Sequence, residues 1–364
     1  MLSLTIYTPG LNPYTDTLIM WGLISPLCYK EVDFEVHGVC GSYKIEIKNI
    51  SLDDYINIVN NYVKNNVNTI IQRLTQDPIL VQPQLRRTLN SILELLTKPI
   101  VKNYINDLQT PGHAIRSNAG RGSKSKGRTT LWIGLGPFLG KWFYKYFHAS
   151  AQTFNVCRFC VGFAAMGLAI GSIGFGRREA RAFVLTFDGK VNRNALCPFI
   201  NEINTNRDNL IEILRRVADN IPLAVLSKLF IIRLSPNTIR KLYNVNACWK
   251  VYSVNITKAA TQLRGFCEID VNPLLDGCAI ISQKDSFAYD RLIDAIDELT
   301  RIILSKMRGR IKGIAADVDA LDAIFNAFYQ RTPVSVYKAM RLLYHTFLSP
   351  PGKCVARALS LLLA

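Results

Sequence analysis

Leu2 to Tyr7 is a short apolar-rich run that stops at Thr8-Pro9-Gly10, the pattern of a strand closed by a turn. Asn12-Pro13 then opens a short helix through Asp16, Leu18, Ile19 and Gly22, with Pro13 at an early position where its missing N–H does no harm. Glu31 to Val36 and Tyr43 to Lys48 alternate polar and apolar residues around Gly38 and Gly41, which predicts an antiparallel hairpin. Ser51-Leu52-Asp53-Asp54 starts a helix in the manner of a capping box, with Tyr55, Ile58, Val59, Tyr62 and Val63 on one face. A second amphipathic helix is predicted from Gln84 to Leu96, where Leu85, Leu89, Ile92 and Leu96 fall in phase.

Further along, Phe159 to Phe175 is an uncharged run of Gly, Ala and large apolar residues that predicts one buried helix. Ala182 to Phe187 predicts a strand ending in a tight turn at Asp188-Gly189, Asn209 to Ala218 a helix, and Lys228 to Leu234 and Trp249 to Val254 two more strands. From Asp285 the pattern becomes helical throughout: Asp285 to Arg310, Ala316 to Gln330, Pro333 to Leu348 and Gly352 to Leu363. Thr332 caps the third of these helices, and Ser349-Pro350-Pro351-Gly352 breaks the chain before the fourth. Strands and helices mix without a regular βαβ alternation, so the fold class expected is α+β. The expected division is an α+β domain over residues 1–284, bearing a basic loop, and a C-terminal four-helix bundle over residues 285–364.

Charge changes this picture in one place. The chain of 364 residues carries a formal charge of +17, yet from Leu108 to Arg178 there is no Asp or Glu. Arg116, Arg121, Lys124, Lys126, Arg128, Lys141, Lys145, Arg158, Arg177 and Arg178 lie inside that stretch. Concentrated positive charge attracts polyanions, whereas an even spread mainly keeps a protein soluble. His113 to Arg128 is Gly/Ser-rich and predicts a mobile cationic loop; Leu131 to Phe147 sets Lys141 and Lys145 among Trp142, Phe143, Tyr144, Tyr146 and Phe147. Such a surface can grip a phosphate backbone and stack an unpaired base. The plainer reading of the loop is a solvated connector beside a core helix. At 49% apolar and 20% charged the chain is a folded protein, and the first residues have neither a basic nor a long apolar region of the signal-peptide kind. Nine scattered Cys argue for an intracellular, cytoplasmic setting with mostly buried thiols.

The inventory for catalysis is thin. Gly134-Leu-Gly136-Pro-Phe-Leu-Gly140-Lys141 lacks the first Gly and the Ser/Thr of a phosphate loop. Cys157-x-x-Cys160 is the only close cysteine pair; with His148 nearby it offers three ligands at most, so these two are weak metal candidates and no cofactor is expected. His37, His113, His148 and His345 are far apart in sequence, and the carboxylates cluster only at Asp290, Asp294, Asp297 and Glu298 and at Asp317, Asp319 and Asp322. The first cluster precedes Arg301, Lys306, Arg308, Arg310 and Lys312 on one helix, an order that complements the helix dipole, although Arg308, Arg310 and Lys312 could also face a nucleic-acid strand. A binding protein is therefore expected and not an enzyme.

Gly10-Leu-Asn12-Pro13-Tyr-Thr-Asp16, leading into an apolar helix through Gly22-Leu23, resembles the opening of the large subunit of type I CRISPR interference complexes, most closely the archaeal type I-A subunit. The basic loop followed by Gly140-Lys141, the C-x-x-C ahead of an apolar helix and the helical C-terminus resemble that subunit in architecture only. The resemblance implies binding to CRISPR RNA and to other Cascade backbone and small subunits. It further implies recognition of a protospacer-adjacent motif, target DNA binding and support of the displaced strand, with cutting left to a separate helicase-nuclease. Asn12 would join the basic residues at that interface. The sequence lacks the full zinc-ribbon cysteine set of some relatives. A reading from another class is a membrane-associated basic protein anchored by Phe159 to Phe175, with the flanking cations on anionic lipid; a nuclease is a third.

Overall fold

The computed structural model describes residues 3–76, 85–121, 127–132, 134–137, 154–176, 179–218, 221–257, 262–308, 314–346 and 353–363. Its elements form two compact units, Met1–Arg207 with Val245–Glu268 and Asp208–Asn244 with Ile269–Ala364. This differs from a cut at residue 284. The chain leaves the first unit, builds three helices of the second, and returns to add strands to the first.

In the first unit, β1 (Ser3–Tyr7), α1 (Pro13–Tyr29), β2 (Phe34–Val39), β3 (Ser42–Lys48), α2 (Leu52–Gln76), α3 (Leu85–Leu95), α4 (Val101–Asp107) and α5 (His113–Arg116) come first. They are followed by β4 (Gly120–Arg121), β5 (Arg128–Thr130), β6 (Phe154–Cys157), α6 (Arg158–Ile170), β7 (Ser172–Gly176), β8 (Glu179–Asn192) and α7 (Arg193–Thr205). The main sheet runs β1-β3-β2-β8-β9-β10, with β9 (Ala247–Thr257) and β10 (Gln262–Asp270) at one end and β7 also paired to β8. β8 pairs with β9 along Glu179 to Gly189, and β2 and β7 share its other edge. A three-stranded sheet, β4-β6-β5, stands apart.

α1 is the centre of this unit. Tyr14 through Cys28 are all buried, as a helix that is mostly apolar on every face requires, and its polar members Thr15, Asp16, Thr17 and Ser25 are buried with it. It is fastened to the main sheet by the Trp21 indole, which donates to Leu185 O at 2.8 Å, and by the Thr17–Tyr43–Thr186 hydroxyl cluster. Across α1 lies α6, and the two backbones nearly touch. A Cβ at Gly167 would stand 1.7 Å from Leu18 O, and one at Gly22 would stand 2.1 Å from Phe163 O. Only glycine fits either position.

The second unit contains α8 (Arg207–Val217), which starts at the boundary residue, α9 (Leu223–Ile232) and α10 (Pro236–Tyr243). With them stand α11 (Asn272–Lys284), α12 (Ser286–Arg308), α13 (Ile314–Gln330), α14 (Pro333–Thr346) and α15 (Lys353–Ser360). α11 packs against α9, α10, α12 and α13, and α12 against α13 and α15. Ion pairs pin the seams: Arg233 with Asp297, Lys228 with Asp322 at 3.4 Å, and Lys306 with the buried Asp317 at 2.8 Å. The fold class is α+β, as the patterning implies, and the four C-terminal helices fall within a few residues of their expected spans.

Four local expectations are corrected. Lys228 to Leu234 is not a strand but the end of α9 and the turn after it. Val225, Leu226, Leu229, Phe230, Ile231 and Ile232 are all buried there, so the run carried no period to reveal a helix. Phe159 to Phe175 is not one helix: α6 stops at Ile170 and the chain turns at Gly171 into β7. The strand predicted at Ala182 to Phe187 does not turn at Asp188-Gly189. Gly189, at φ +115°, lets β8 continue to Asn192. Finally, Cys28 and Cys197 are not free thiols; they form a disulfide joining α1 to α7, with Cα atoms 5.2 Å apart.

Candidate functional site

The site begins at the N-terminal Gly10–Asp16 segment. Gly10 turns the chain at φ +82°, and Asn12 caps α1: its Oδ1 accepts from Thr15 N–H at 3.0 Å while its Nδ2 donates to Thr15 Oγ1 at 2.7 Å. Asp16 Oδ1 accepts from Gly10 N–H at 3.2 Å, Thr15 Oγ1 donates to Leu135 O, and Tyr14 OH donates to Gly134 O. Ala114 N–H donates to Pro9 O and Tyr7 N–H to Leu108 O. The opening motif is thus a clasp that holds both ends of a piece of the acid-free segment. Asn12 spends its side chain on the cap.

Below the clasp lies a buried polar cluster. Asp107 ends α4, Gly112 turns at φ +86°, and the chain enters α5 with His113 only 5% exposed. Cys157 is both the last residue of β6, paired to Arg128, and the N-cap of α6; Cys160 lies buried one turn into that helix. A ring nitrogen of His113 and the two sulfurs all lie within 4.8 Å of one another. His113 Nδ1 is engaged by Asp107 Oδ2, while Nε2 is buried without a well-aligned hydrogen bond. Tyr104 closes the cluster, its ring edge-on to His113 at 5.1 Å and its hydroxyl 3.4 Å from Cys160 Sγ.

These neighbours set the protonation states. Contact with Cys160 brings the Cys157 thiol down to about 5 against the opposing effect of burial, with His113 and the backbone N–H groups of Cys160 and Phe159 assisting. Burial pushes Cys160 far up. For His113 burial works against the charged ring, but the Cys157 sulfur and Asp107 carboxylate outweigh it and raise the pKa. Asp107 is raised by burial and lowered more by His113 and Arg116. Asp16 is pushed up to about 7 by burial, with the N–H groups of Gly10, Leu11 and Asn12 opposing.

The expected nucleic-acid residues are not equivalent. Arg116 is exposed but pinned: it pairs with Asp107 at 2.9 Å and donates to the carbonyls of Asp107, Thr110 and Pro111. Arg128 donates to Ser117 O and so ties β5 to the end of α5. Arg121 lies in β4 and Arg308 ends α12. Lys124, Lys126, Lys141, Lys145, Arg310 and Lys312 lie outside the described residues, as does most of the aromatic segment. Arg121, Arg128 and Arg158 lie in the small β4-β6-β5 sheet or at its exit. The start of the predicted mobile loop is in fact α5 and β4.

Cys157 and Cys160 come together with a histidine, but it is His113; His148 lies outside the described residues. Only the C-x-x-C signalled this site in sequence, because the Asp107–His113 pair sits far upstream. A second grouping, Glu35, His37 and Glu46, lies on the β2–β3 surface and is neutralised by Lys44, Lys48 and Lys190. Among the described residues, the acidic clusters likewise have cationic neighbours, Asp294 with Arg291 and Glu298 with Arg301. No helix among them is long and apolar enough to cross a membrane, and α6 itself has only 13 residues, which removes the support for an apolar anchor there.

An α+β chain with its basic charge gathered on one segment, and with a second unit made of helices, is the class of protein defined so far. The sequence then places it among the CRISPR-associated proteins. A family model described as CRISPR-associated protein (Cas_Csa4) matches residues 4–347, and the chain belongs to that family. Its role is accordingly in CRISPR defence. No curated protein matches the chain.

Proposed function

We propose that this protein is the large, nucleic-acid-binding subunit of a type I-A CRISPR RNA-guided surveillance complex, working in the cytoplasm. In this role it contributes to recognition of the protospacer-adjacent motif, to target DNA binding and to holding the displaced strand. The observation that carries the proposal is the acid-free segment from Leu108 to Arg178, with ten cations, in a chain of a CRISPR-associated family. Its partners are CRISPR RNA, target DNA and the other Cascade subunits, and cleavage belongs to a separate helicase-nuclease. The protein itself is a binding subunit: Asp294, Glu298, Asp317 and Asp322 of the two acidic clusters pair with Arg291, Arg301, Lys306 and Lys228, which leaves them poorly suited to hold catalytic metal ions.

The cations of this segment act on phosphate and carry no sequence information. Replacing Arg121, Lys124 and Lys126 with Ala should weaken binding to all DNA sequences alike. The slope of log affinity against log salt should flatten by about 0.9 for each duplex phosphate that is released. Titration of the full chain at several salt concentrations reads this directly; an unchanged slope would make the loop a solvated connector. Arg128 is left out of the triple variant because its bond to Ser117 O supports the fold.

A further inference from the structure

We propose that His113, Cys157 and Cys160 form a zinc site that fastens the two ends of the basic segment to each other. Such a site stands independently of the function proposed above. Three features of the cluster support it. The donor set is the one zinc selects, two sulfurs and an imidazole. The spacing is already close: tetrahedral coordination at ordinary Zn–S and Zn–N lengths separates ligand atoms by about 3.5–3.8 Å, and these lie within 4.8 Å of one another, so small side-chain rotations bring them to bonding positions. The third feature is His113 itself. Its Nδ1 is held by the Asp107 carboxylate, its Nε2 is buried without a well-aligned hydrogen bond, and the ring interacts with the Cys157 sulfur. That is how a metal-ligating histidine is prepared, with a carboxylate fixing the tautomer and orienting the free nitrogen.

The surroundings support the same assignment. Tyr104 stacks on Phe159 and Phe163 and meets His113 edge-on, which keeps the imidazole from rotating, and its hydroxyl lies 3.4 Å from Cys160 Sγ. Cys157 sits at the N-cap of α6 and Cys160 within its first turn, so both sulfurs ride on one rigid element. Three protein ligands leave the fourth coordination position to water or another small ligand. Zinc here would join α5, which opens the segment bearing Arg121, Lys124, Lys126 and Arg128, to the β6–α6 junction that closes it.

The test is made on the full chain, expressed with zinc and purified without chelator, with metal measured by mass spectrometry. One zinc per chain is expected, and none in Cys157→Ser or His113→Ala. Cys248→Ser, an exposed cysteine on β9, should retain the metal. Asp107→Asn keeps all three ligands and should lower zinc affinity about 10–100-fold. Should the ligand variants fail to fold, cobalt substitution of the unaltered chain decides the matter: a tetrahedral spectrum with thiolate-to-cobalt charge transfer supports the site. Protection of Cys157 and Cys160 from alkylation by bound metal would support it too. The competing occupant is a Cys157–Cys160 disulfide. Metal-free protein in which these two cysteines are bonded to each other, or metal content unchanged in Cys157→Ser, overturns the proposal.

Discussion

The crossing of α1 and α6 offers a test in which the sign of the effect decides. Gly167 lies inside α6, and with nothing near it Gly167→Ala would stabilise the helix by about 1 kcal/mol. Its neighbour, however, is backbone. The new Cβ would stand 1.7 Å from Leu18 O, 2.7 Å from Leu18 C and 3.0 Å from Gly22 N, whereas an ordinary carbon–oxygen contact is about 3.3 Å or more. The helices must part by about 1.5 Å, and α1 is enclosed on every side. Overpacking of this kind costs about 1–3 kcal/mol and sometimes more. Because no flexible side chain can give way, the upper end applies, and a net loss of about 2–3 kcal/mol is expected. For a unit of this size that lowers Tm by roughly 4–12 °C. Gly162→Ala is the internal control. It sits on the same helix, but its Cβ would meet Ile92 Cγ2 and Leu96 Cδ1 at 3.3 Å, atoms that can move, so it should be close to neutral. Urea melts followed by tryptophan fluorescence suit the question, since Trp21 is buried on α1. If Gly167→Ala melts later than the unaltered protein, or tracks Gly162→Ala, the close crossing is refuted.

Two further outcomes follow from buried charge. Arg233 has a side chain 7% exposed and pairs with Asp297, and Asp297→Ala should cost about 3–5 kcal/mol by leaving that cation alone in the core. Glu298→Ala, which removes the partner of the exposed Arg301, should change stability by less than about 1 kcal/mol, and equal effects in chemical denaturation would argue against the burial. Asp16, raised to about 7 by burial, keeps its proton in the fold at pH values where the unfolded chain has lost it. Its favourable contribution is therefore complete below about pH 4 and is lost as pH rises toward 7, by roughly 1.4 kcal/mol for each pH unit crossed between the unfolded and folded pKa values. Asp16→Asn should accordingly gain on the unaltered protein between pH 4 and 7 and hold a constant lead above that; parallel stability curves would show that the backbone N–H groups offset the burial.

The family places the protein in CRISPR defence, and the clasp around α1 gives the opening motif a physical purpose. Asn12 and Asp16 are engaged within the motif itself, while Tyr14 and Thr15 anchor Gly134 and Leu135 of the acid-free segment. Arg116 is similarly occupied by Asp107 and three carbonyls. Arg116 is placed to position the base of the loop, where His113 and Asp107 also lie.

Much of this was legible in the sequence because the signals are local. Capping residues Asn12 and Ser51 mark helix starts, the alternation of Glu31 to Lys48 marks the hairpin, and periodic apolar residues after Asp285 mark the helices. Charge concentration is a sum along the chain and needs no structure. What failed, failed where burial erases pattern. Lys228 to Leu234 and Phe159 to Phe175 are buried almost throughout, so neither period nor boundary survived, and in β8 the Asp188-Gly189 pair gave a turn signal that Gly189 overrides. The cluster of Asp107, His113, Cys157 and Cys160, the Cys28–Cys197 disulfide and the return of β9 and β10 to the first unit were decided only by tertiary structure. Each depends on bringing together residues far apart in the chain, and no local propensity records which distant partner a side chain will meet.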